Sequence, residues 1–415
     1  MSDDDKILLI AGERSLSKAQ LFQQGAVVAR KLGDAGLKHG DAIALILRND
    51  FAYFVMHDAA RYGNFDIVPV NWHLKVPEID YILQDCSAKA VIIHADLLTD
   101  DLQITLVDHL VVVVPEAGAS LSSWAEWISS TEKPEQEAVP FCPPLFYTSG
   151  TSGKPKAVVR EKISPKLIVK IAERTCFAWG FDKLPIRSVM TGPLYHSAPN
   201  GYANMVLQAD GLLVLQEKFD AEELLMLIEK HEITHLHMVP TMFSRLLALP
   251  AEIRSKYSLT SLLHVSHGAA PCPPEVKRQM IEWWGSVIHE YYAMTETGII
   301  CCSNSEEWLA HPGSVGCAAP GVSLQIRHDD GSECATGEAG FICVQHEATA
   351  AVSYHNAADK SADLVQDGFL VTGDIGYLDE NGFCIFPIVN PTWLSRVALI
   401  STRQKLKTNS SQCPV

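Results

Sequence analysis

Helix-like and strand-like hydrophobic runs alternate along most of the chain. Over residues 16–37 apolar positions recur near the helical period (Leu21, Val28, Leu32), and Gly36 and Gly40 then punctuate the entry into an unbroken apolar run over 42–47. The alternation repeats, with a helix-like run over 51–62 before an apolar strand at 67–70, and another over 77–83 before 90–93. Strands apolar on both faces, each fed by an amphipathic helix, predict a parallel sheet covered by helices on both sides.

Between 114 and 144 the chain turns rich in Pro, Ser and Glu, with Trp124 and Trp127 on a short amphipathic piece, which reads as a surface connection. The doubly wound pattern then resumes. A helix is expected around 163–178, a strand at 188–190 leading to Pro193-Leu194-Tyr195-His196-Ser197-Ala198, a strand at 212–215, a helix over 221–230, a strand at 234–240 and a helix over 241–249. The strand at 262–267 runs into the small residues Gly268, Ala269, Ala270 and Pro271, whose size lets a flat ring lie against the backbone. After a helix over 274–284, the strand at 287–292 ends in Ala293-Met294-Thr295-Glu296-Thr297-Gly298. From 313 to 386 the texture changes to short strands and Gly/Asp turns, the mark of an antiparallel unit. The expected fold is therefore α/β: two doubly wound, mostly parallel sheets with flanking helices (about 1–140 and 141–312), plus a smaller antiparallel β-rich subdomain (313–386).

The chemistry gathers in a polar loop lodged between apolar runs, Phe146-Tyr147-Thr148-Ser149-Gly150-Thr151-Ser152-Gly153-Lys154-Pro155-Lys156-Ala157-Val158. Gly150 and Gly153 let backbone N–H groups turn toward an anion. Thr148, Ser149, Thr151 and Ser152 add hydroxyl donors, and Lys154 and Lys156 add positive charge. Every group donates to negative oxygen, so the loop reads as a phosphate cradle rather than a Ser/Gly linker, which would lack paired lysines. It is not a Walker A loop, because Pro155 follows Gly153-Lys154 where that motif needs Ser or Thr for magnesium.

Composition narrows the class. At 415 residues with 47% hydrophobic content the chain exceeds one ordinary core. A formal charge of −16 argues against a nucleic-acid binder while leaving room for a local basic pocket. No apolar run is long enough for a transmembrane segment and the start is acidic, so a cytoplasmic location is expected. The 11 cysteines are odd in number and show no Cys-x-x-Cys, which predicts reduced thiols, with Cys301 and Cys302 as small hydrophobes on opposite strand faces. His235 and His237 share one strand face but lack a third ligand nearby, so they read as structural.

Four stretches stand in one order: 147–158, 268–271, 292–298, and Val371-Thr372-Gly373-Asp374-Ile375-Gly376-Tyr377. Together they resemble the adenylate-forming (AMP-binding) superfamily of acyl-CoA synthetases, luciferases and peptide-synthetase adenylation domains, over about 12–383. The resemblance implies that Thr148 to Lys154 hold the β- and γ-phosphates of ATP, that Thr295 touches the α-phosphate and that Glu296 holds Mg2+. It also implies that Tyr292 stacks on adenine with Gly268, Ala269 and Ala270 against the other side of the ring, and that Asp374 accepts from both ribose hydroxyls. His196 resembles the histidine beside the substrate carboxylate; with Lys154, Thr295 and Glu296 it completes the implied catalytic set. The implied reaction converts a small-molecule carboxylic acid, fatty or bulky and apolar, to an acyl-adenylate, with CoA as the thiol that then displaces AMP.

Alternatives remain: an adenylating enzyme with another acceptor such as a carrier-protein phosphopantetheine, or a nucleotide- and acyl-binding remnant that turns nothing over. A kinase-like phosphoryl transferase is disfavoured by the absent Walker A loop. Self-association into a homo-oligomer is left open.

Relatives of this type continue into an Asp-Arg hinge and a compact C-terminal domain bearing a lysine. The segment 387–415 has no such sequence. Read in a shifted frame, through codons that encode this tail with freely chosen wobble bases, it gives DRESDMVISGGVNIYPAETEN, which resembles that hinge. A single-base frameshift near Phe386 is therefore expected, with 1–386 as the AMP-binding domain, 387–415 as an aberrant tail that is disordered or loosely docked, and an impaired complete reaction. The DNA at codons 386–390 is expected to read GAT-CGT-GAA in the shifted frame; incompatible codons would remove the frameshift from consideration.

Overall fold

The computed structural model describes residues 3–115, 122–129, 138–139, 143–148, 155–160, 164–347, 352–354 and 365–387. The tail beyond Pro387, and with it the expectation about its order, lies outside the described residues.

A hairpin of β1 (Ile7–Ala11) and β2 (Arg14–Ser17) opens the chain. Ser17 then starts α1 (Lys18–Asp34) with a reciprocal cap: its hydroxyl accepts from Gln20 N–H while the Gln20 side chain accepts from Ser17 N–H. After β3 (Ala42–Ile46), α2 (Phe51–Gly63) begins at Asp50, whose carboxylate accepts from Ala52 N–H, and ends at Asn64 with φ 51°, the left-handed turn that stops a helix. The two helices pack closely at Gly25, where a Cβ would stand 2.5 Å from the buried Asp58 carboxylate. Next come β4 (Asp66–Pro69), α3 (Val76–Asp85), β5 (Ala90–His94), α4 (Asp100–Thr105), β6 (Leu110–Val114), β7 (Ser122–Ser123) and α5 (Trp124–Ile128). The strands form one parallel sheet in the order β4-β3-β5-β6-β7, as the continuous apolar runs require. Trp124 and Trp127 are not on the surface: both rings are buried in the core with α1.

A second hairpin, β8 (Phe146–Thr148) and β9 (Lys156–Arg160), precedes α6 (Pro165–Trp179). The larger sheet then builds from β10 (Arg187–Met190), α7 (Ser197–Gln208), β11 (Leu212–Leu215), α8 (Ala221–Lys230), β12 (His235–Met238), α9 (Pro240–Leu247), α10 (Ala251–Arg254), β13 (His264–His267), α11 (Pro274–Trp284), β14 (Ile288–Met294), β15 (Gly298–Ser303), α12 (Ser305–Ala310) and β16 (Cys317–Ala318). Its order is β16-β15-β14-β13-β12-β10-β11-β1-β2, parallel from β14 to β1 and antiparallel at both edges. Sheet membership therefore does not follow chain order, since Leu9 pairs with Leu213. Periodicity gave no helix at 197–208, because Pro199 and Gly201 interrupt it; Pro199 is tolerated because it falls in the first turn of α7.

The last part holds β17 (Ser323–Arg327), β18 (Gly340–Gln345), β19 (Val352–Tyr354), β20 (Val365–Gln366), β21 (Phe369–Leu378) and β22 (Cys384–Ile385). All pair antiparallel in a curled sheet, β17-β18-β21-β20 with β22 on β21, except that β19 joins β9. The α/β architecture with two parallel sheets and a smaller antiparallel sheet is the expected one.

The core of the large sheet is unusually rich in imidazoles. His235 Nε2–H donates to Gly180 O at 2.8 Å while its Nδ1 lies 2.8 Å from Thr234 Oγ1, His237 lies 2.6 Å from the Tyr291 hydroxyl, and His264 stacks on His289 with centroids 3.7 Å apart. These partners make His235 and His237 structural. Burial pulls His57, His237 and His289 down to about 4 and His264 to about 2. Below pH 6.5 the unfolded chain takes these protons while the folded chain does not, so their stabilisation is complete above pH 6.5 and is lost as pH falls toward 4. Burial raises Asp58 to about 7, an opposite dependence that offsets about one histidine. Urea unfolding is expected to show a net stability loss from pH 7 to 4.5, each uncompensated histidine contributing up to about 3 kcal/mol by pH 4. A flat profile would contradict the buried neutral imidazoles.

Candidate active site

The strand order reverses at β10. The chain leaves β10 to pair β11 on one side and then returns to place β12 on the other. In such sheets the connections diverge at that point and open a crevice outside the carboxyl ends of the strands. The two strand ends are tied together, since the Thr191 hydroxyl donates to His237 O at 2.9 Å. The loop leaving β10 is held from the other sheet by Asn49, whose amide donates to Gly192 O at 2.9 Å and accepts from Leu194 N–H at 3.0 Å. Asn200 completes the clamp by donating to Leu194 O at 2.8 Å. Arg48 stacks over Trp72 with its guanidinium 4.4 Å from the ring centroid, and Trp72 meets Tyr195 edge-on at 6.4 Å.

This scaffold presents His196 at the start of α7. The imidazole leans on Tyr195, centroids 4.6 Å apart, and makes no capping bond to the helix. Desolvation by the surrounding wall lowers its pKa below 6.5 even though it keeps exposed surface, so it is neutral at pH 7 and works as a hydrogen-bonding group rather than a cation. Ser197 is the first residue of the helix, and its hydroxyl lies 3.1 Å from the Thr295 hydroxyl. Thr295 follows the end of β14 and Glu296 beside it is buried at 7% exposure. Thus His196, Ser197, Thr295 and Glu296, a hundred residues apart in pairs, occupy one place beside a 12-residue helix start, where free N–H groups and the helix dipole favour an anion.

Tyr292 and Asp374 meet directly. The Tyr292 hydroxyl donates to Asp374 Oδ2 at 2.6 Å, joining the large sheet to the antiparallel one. Burial, followed by the Asp374 charge, raises the phenol pKa, so the hydroxyl stays protonated and remains the donor. Thr372 sets the Asp374 backbone: its hydroxyl accepts from Asp374 N–H at 3.1 Å and donates to Ile342 O at 3.0 Å. The Tyr292 ring also takes an edge contact from Phe386, centroids 5.2 Å apart.

Gly268, Ala269 and Ala270 follow β13, the strand next to β14. They divide in role. Gly268 is buried, and the space for a side chain is already taken by Tyr291: a Cβ would stand 2.7 Å from Tyr291 O and 2.9 Å from its ring. Its bareness is explained by strand packing. Ala269, at φ 67°, and Ala270 are exposed, where the chain leaves the carboxyl end of β13.

Of the polar loop, the hairpin stem is in place. Thr148 ends β8 opposite Lys156, and the Tyr147 hydroxyl donates to Asp85 at 2.7 Å. Ser149, Gly150, Thr151, Ser152, Gly153 and Lys154 lie outside the described residues. Sequence reasoning missed Asn49, Ser197, Thr372 and Phe386. Only Thr372 carried a local signal, the Thr-x-Asp spacing of a side-chain turn.

Gly268→Ala is expected to destabilise the protein by roughly 1–3 kcal/mol, since the added methyl must displace Tyr291 from both its backbone and ring positions. A thermal or urea midpoint unchanged from wild type would show that this close approach is not required.

With this geometry in place, relatives become informative. A fatty acid–acyl-carrier-protein ligase of Streptomyces coeruleorubidus is 28% identical over 395 residues, covering 89% of this chain and 71% of that one. A long-chain-fatty-acid–CoA ligase of Bacillus subtilis is 28% identical over 417 residues, covering 91% and 73%. Among solved structures, the amide bond synthetase McbA of Marinactinospora thermotolerans superposes with a TM-score of 0.79 at 23% identity, covering 92% and 76%. The o-succinylbenzoate CoA synthetase of Bacillus subtilis, solved with its acyl-adenylate, gives 0.77 at 24% identity, covering 92% and 75%; both likenesses establish the fold. Residues 2–354 match the AMP-binding enzyme family, so the chain belongs to the AMP-binding, adenylate-forming enzymes.

Proposed function

We propose that the chain activates a carboxylic acid, fatty or otherwise bulky and apolar, by joining it to AMP from ATP, and that CoA is the acceptor of the acyl group. The observation that carries this reading is that Thr295 and Glu296 meet the His196–Ser197 start of α7 at the carboxyl edge of the large sheet, where Tyr292 also bonds Asp374 of the antiparallel sheet.

The roles follow from chemistry. A carboxylic acid is ionised at neutral pH, so no base is needed to activate it; the barrier is the meeting of two anions and the departure of pyrophosphate. Donors set in advance around those oxygens supply the catalysis. We assign Thr295, Ser197 and the first turn of α7 to the oxygens of the reacting phosphate, and neutral His196 to the incoming carboxylate. Asp374 takes the ribose hydroxyls, held by Tyr292 and Thr372, and the open backbone of Ala269 and Ala270 receives the adenine on the side opposite Tyr292. Lys154 and the loop Thr148 to Gly153 are assigned to the outer phosphates on sequence alone. Glu296, a buried carboxylate beside the phosphate-facing threonine, suits Mg2+, whose hard charge prefers such oxygen and would neutralise the phosphates. We place the protein in the cytoplasm; among the described residues no helix is long and apolar enough to cross a membrane.

A second acceptor is favoured by one specific observation, the relative named as an acyl-carrier-protein ligase. Both acceptors present a pantetheine thiol, so the two readings share the adenylation step and differ only in what delivers the thiol.

Carboxylate-dependent exchange of pyrophosphate into ATP, screened over a panel of acids, is the direct test. Exchange with apolar acids is expected; Glu296→Gln should lower it about 100-fold or more, and Asp374→Asn should raise KM for ATP roughly tenfold. ATP binding without any acid-dependent exchange would point instead to a non-catalytic nucleotide-binding remnant, and an unaffected Glu296→Gln would overturn the metal assignment. Supplying CoA or a carrier protein then identifies the acceptor.

A further inference from the structure

We propose that the tip of the antiparallel sheet is a binding site for a zinc-like divalent cation, formed by His328, Cys334 and Glu338. Their donor atoms all lie within 4.8 Å of one another, and His328 Nε2 stands 3.6 Å from Glu338 Oε2. Among the described residues this is the only such grouping of histidine, cysteine and carboxylate. It shares no residue with the adenylation site and does not rest on that reading.

The backbone builds the site. After β17, a turn closes with His328 N–H to Ser332 O at 2.8 Å and Gly331 N–H to His328 O at 3.0 Å. Asp330 Oδ1 braces it, accepting from Ser332 N–H at 2.9 Å and from the Ser332 hydroxyl at 2.6 Å. The chain then returns to the sheet through Cys334 N–H to Ile326 O at 2.8 Å, which sets the cysteine beside the turn that carries His328. A second turn follows at once: Glu338 N–H donates to Ala335 O at 3.0 Å, and Glu338 Oε2 accepts from Ala335 N–H at 3.1 Å. The thiol has room only because residue 340 is glycine. A Cβ there would stand 2.6 Å from Cys334 Sγ and 2.5 Å from Arg327 O.

The donor set selects the ion. Imidazole nitrogen and thiolate sulfur suit zinc, whereas magnesium and calcium prefer oxygen throughout. Zinc–ligand bonds of 2.0–2.3 Å put tetrahedral donors about 3.3–3.8 Å apart, so the His328–Glu338 pair already fits and the thiol, within 4.8 Å of both, has at most about 1 Å to close. His328 and Glu338 keep 41% and 48% side-chain exposure, so their rotamers can close on an ion, and water takes the fourth position. Asp329, Asp330 and Glu333 lie in the same turn and add negative charge. The nearest cation on this hairpin, Arg327, is engaged elsewhere by Gln325, Asp367 and the face of Phe369. On coordination the S–H bond of Cys334 breaks, its proton passes to water, and the sulfur electron pair forms the bond to the metal. The ion would clip both turns to the start of β18, where Gly340 pairs with Gly376 of β21.

The test titrates the full chain, without nucleotide, with Co2+ as a spectroscopic probe and Zn2+ as competitor. One equivalent of Co2+ should give sulfur-to-cobalt charge-transfer absorption with tetrahedral d–d bands, both displaced by Zn2+. Cys334→Ser should abolish the charge-transfer band while retaining wild-type circular dichroism. His328→Gln and Glu338→Gln should each weaken binding tenfold or more, since loss of a direct ligand should cost at least as much as loss of a group behind one. Zn2+ should raise the thermal midpoint of wild type and not of Cys334→Ser, reversibly with a chelator. Absence of the charge-transfer band, or its persistence in Cys334→Ser through another of the 11 cysteines, would overturn the proposal.

Discussion

Everything at the candidate site depends on the parallel pairing of β10 through β14. Parallel strands all finish on the same edge, so five connections that are far apart in sequence are obliged to leave the sheet side by side. Thr191, His237, Gly268 and Thr295 are neighbours for this reason alone. Antiparallel pairing of any one strand would send its connection to the opposite edge and remove its residues from the crevice.

The sheet that enforces this is held by polar groups as well as apolar ones. Lys277 of α11 donates to Glu290 of β14 at 2.6 Å with both side chains buried, and its ammonium sits 4.7 Å over the Trp308 ring. Burial lowers the lysine pKa and raises that of the glutamate, while their mutual attraction opposes both shifts and favours the charged pair. His267, 3.7 Å from Glu290, is held neutral by desolvation and by the lysine charge. The strand that ends at Thr295 and Glu296 is thus docked by a satisfied ion pair rather than by shape alone.

Two longer-range contacts convert a sheet edge into a defined site. Asn49 reaches from the first sheet to set the backbone at Gly192 and Leu194, which aims His196 and starts α7. The Tyr292–Asp374 bond does the same from the antiparallel side. Each side chain is fixed by an element that belongs to a different sheet, so the crevice is formed jointly by three sheets and has no meaning within one of them.

Much of this was legible in the chain itself, because hydrophobic period and local punctuation are properties of short segments. The helix over 274–284 was recovered end for end, the strand cores at 42–46 and 212–215 within a residue, and Thr295, Glu296, Tyr292 and Asp374 were singled out before any of them had a neighbour. What no segment could contain was decided by tertiary structure. The first helical turn of α7 hides a proline, Trp124 and Trp127 are buried by a helix a hundred residues earlier, and β1 joins the far sheet because Leu9 faces Leu213. Gly268 has no space for a side chain because Tyr291 of the neighbouring strand already fills it. Short-range patterns determine which element forms and which chemistry it carries; partners separated by tens or hundreds of residues, set by sheet order and close packing, determine what that chemistry faces.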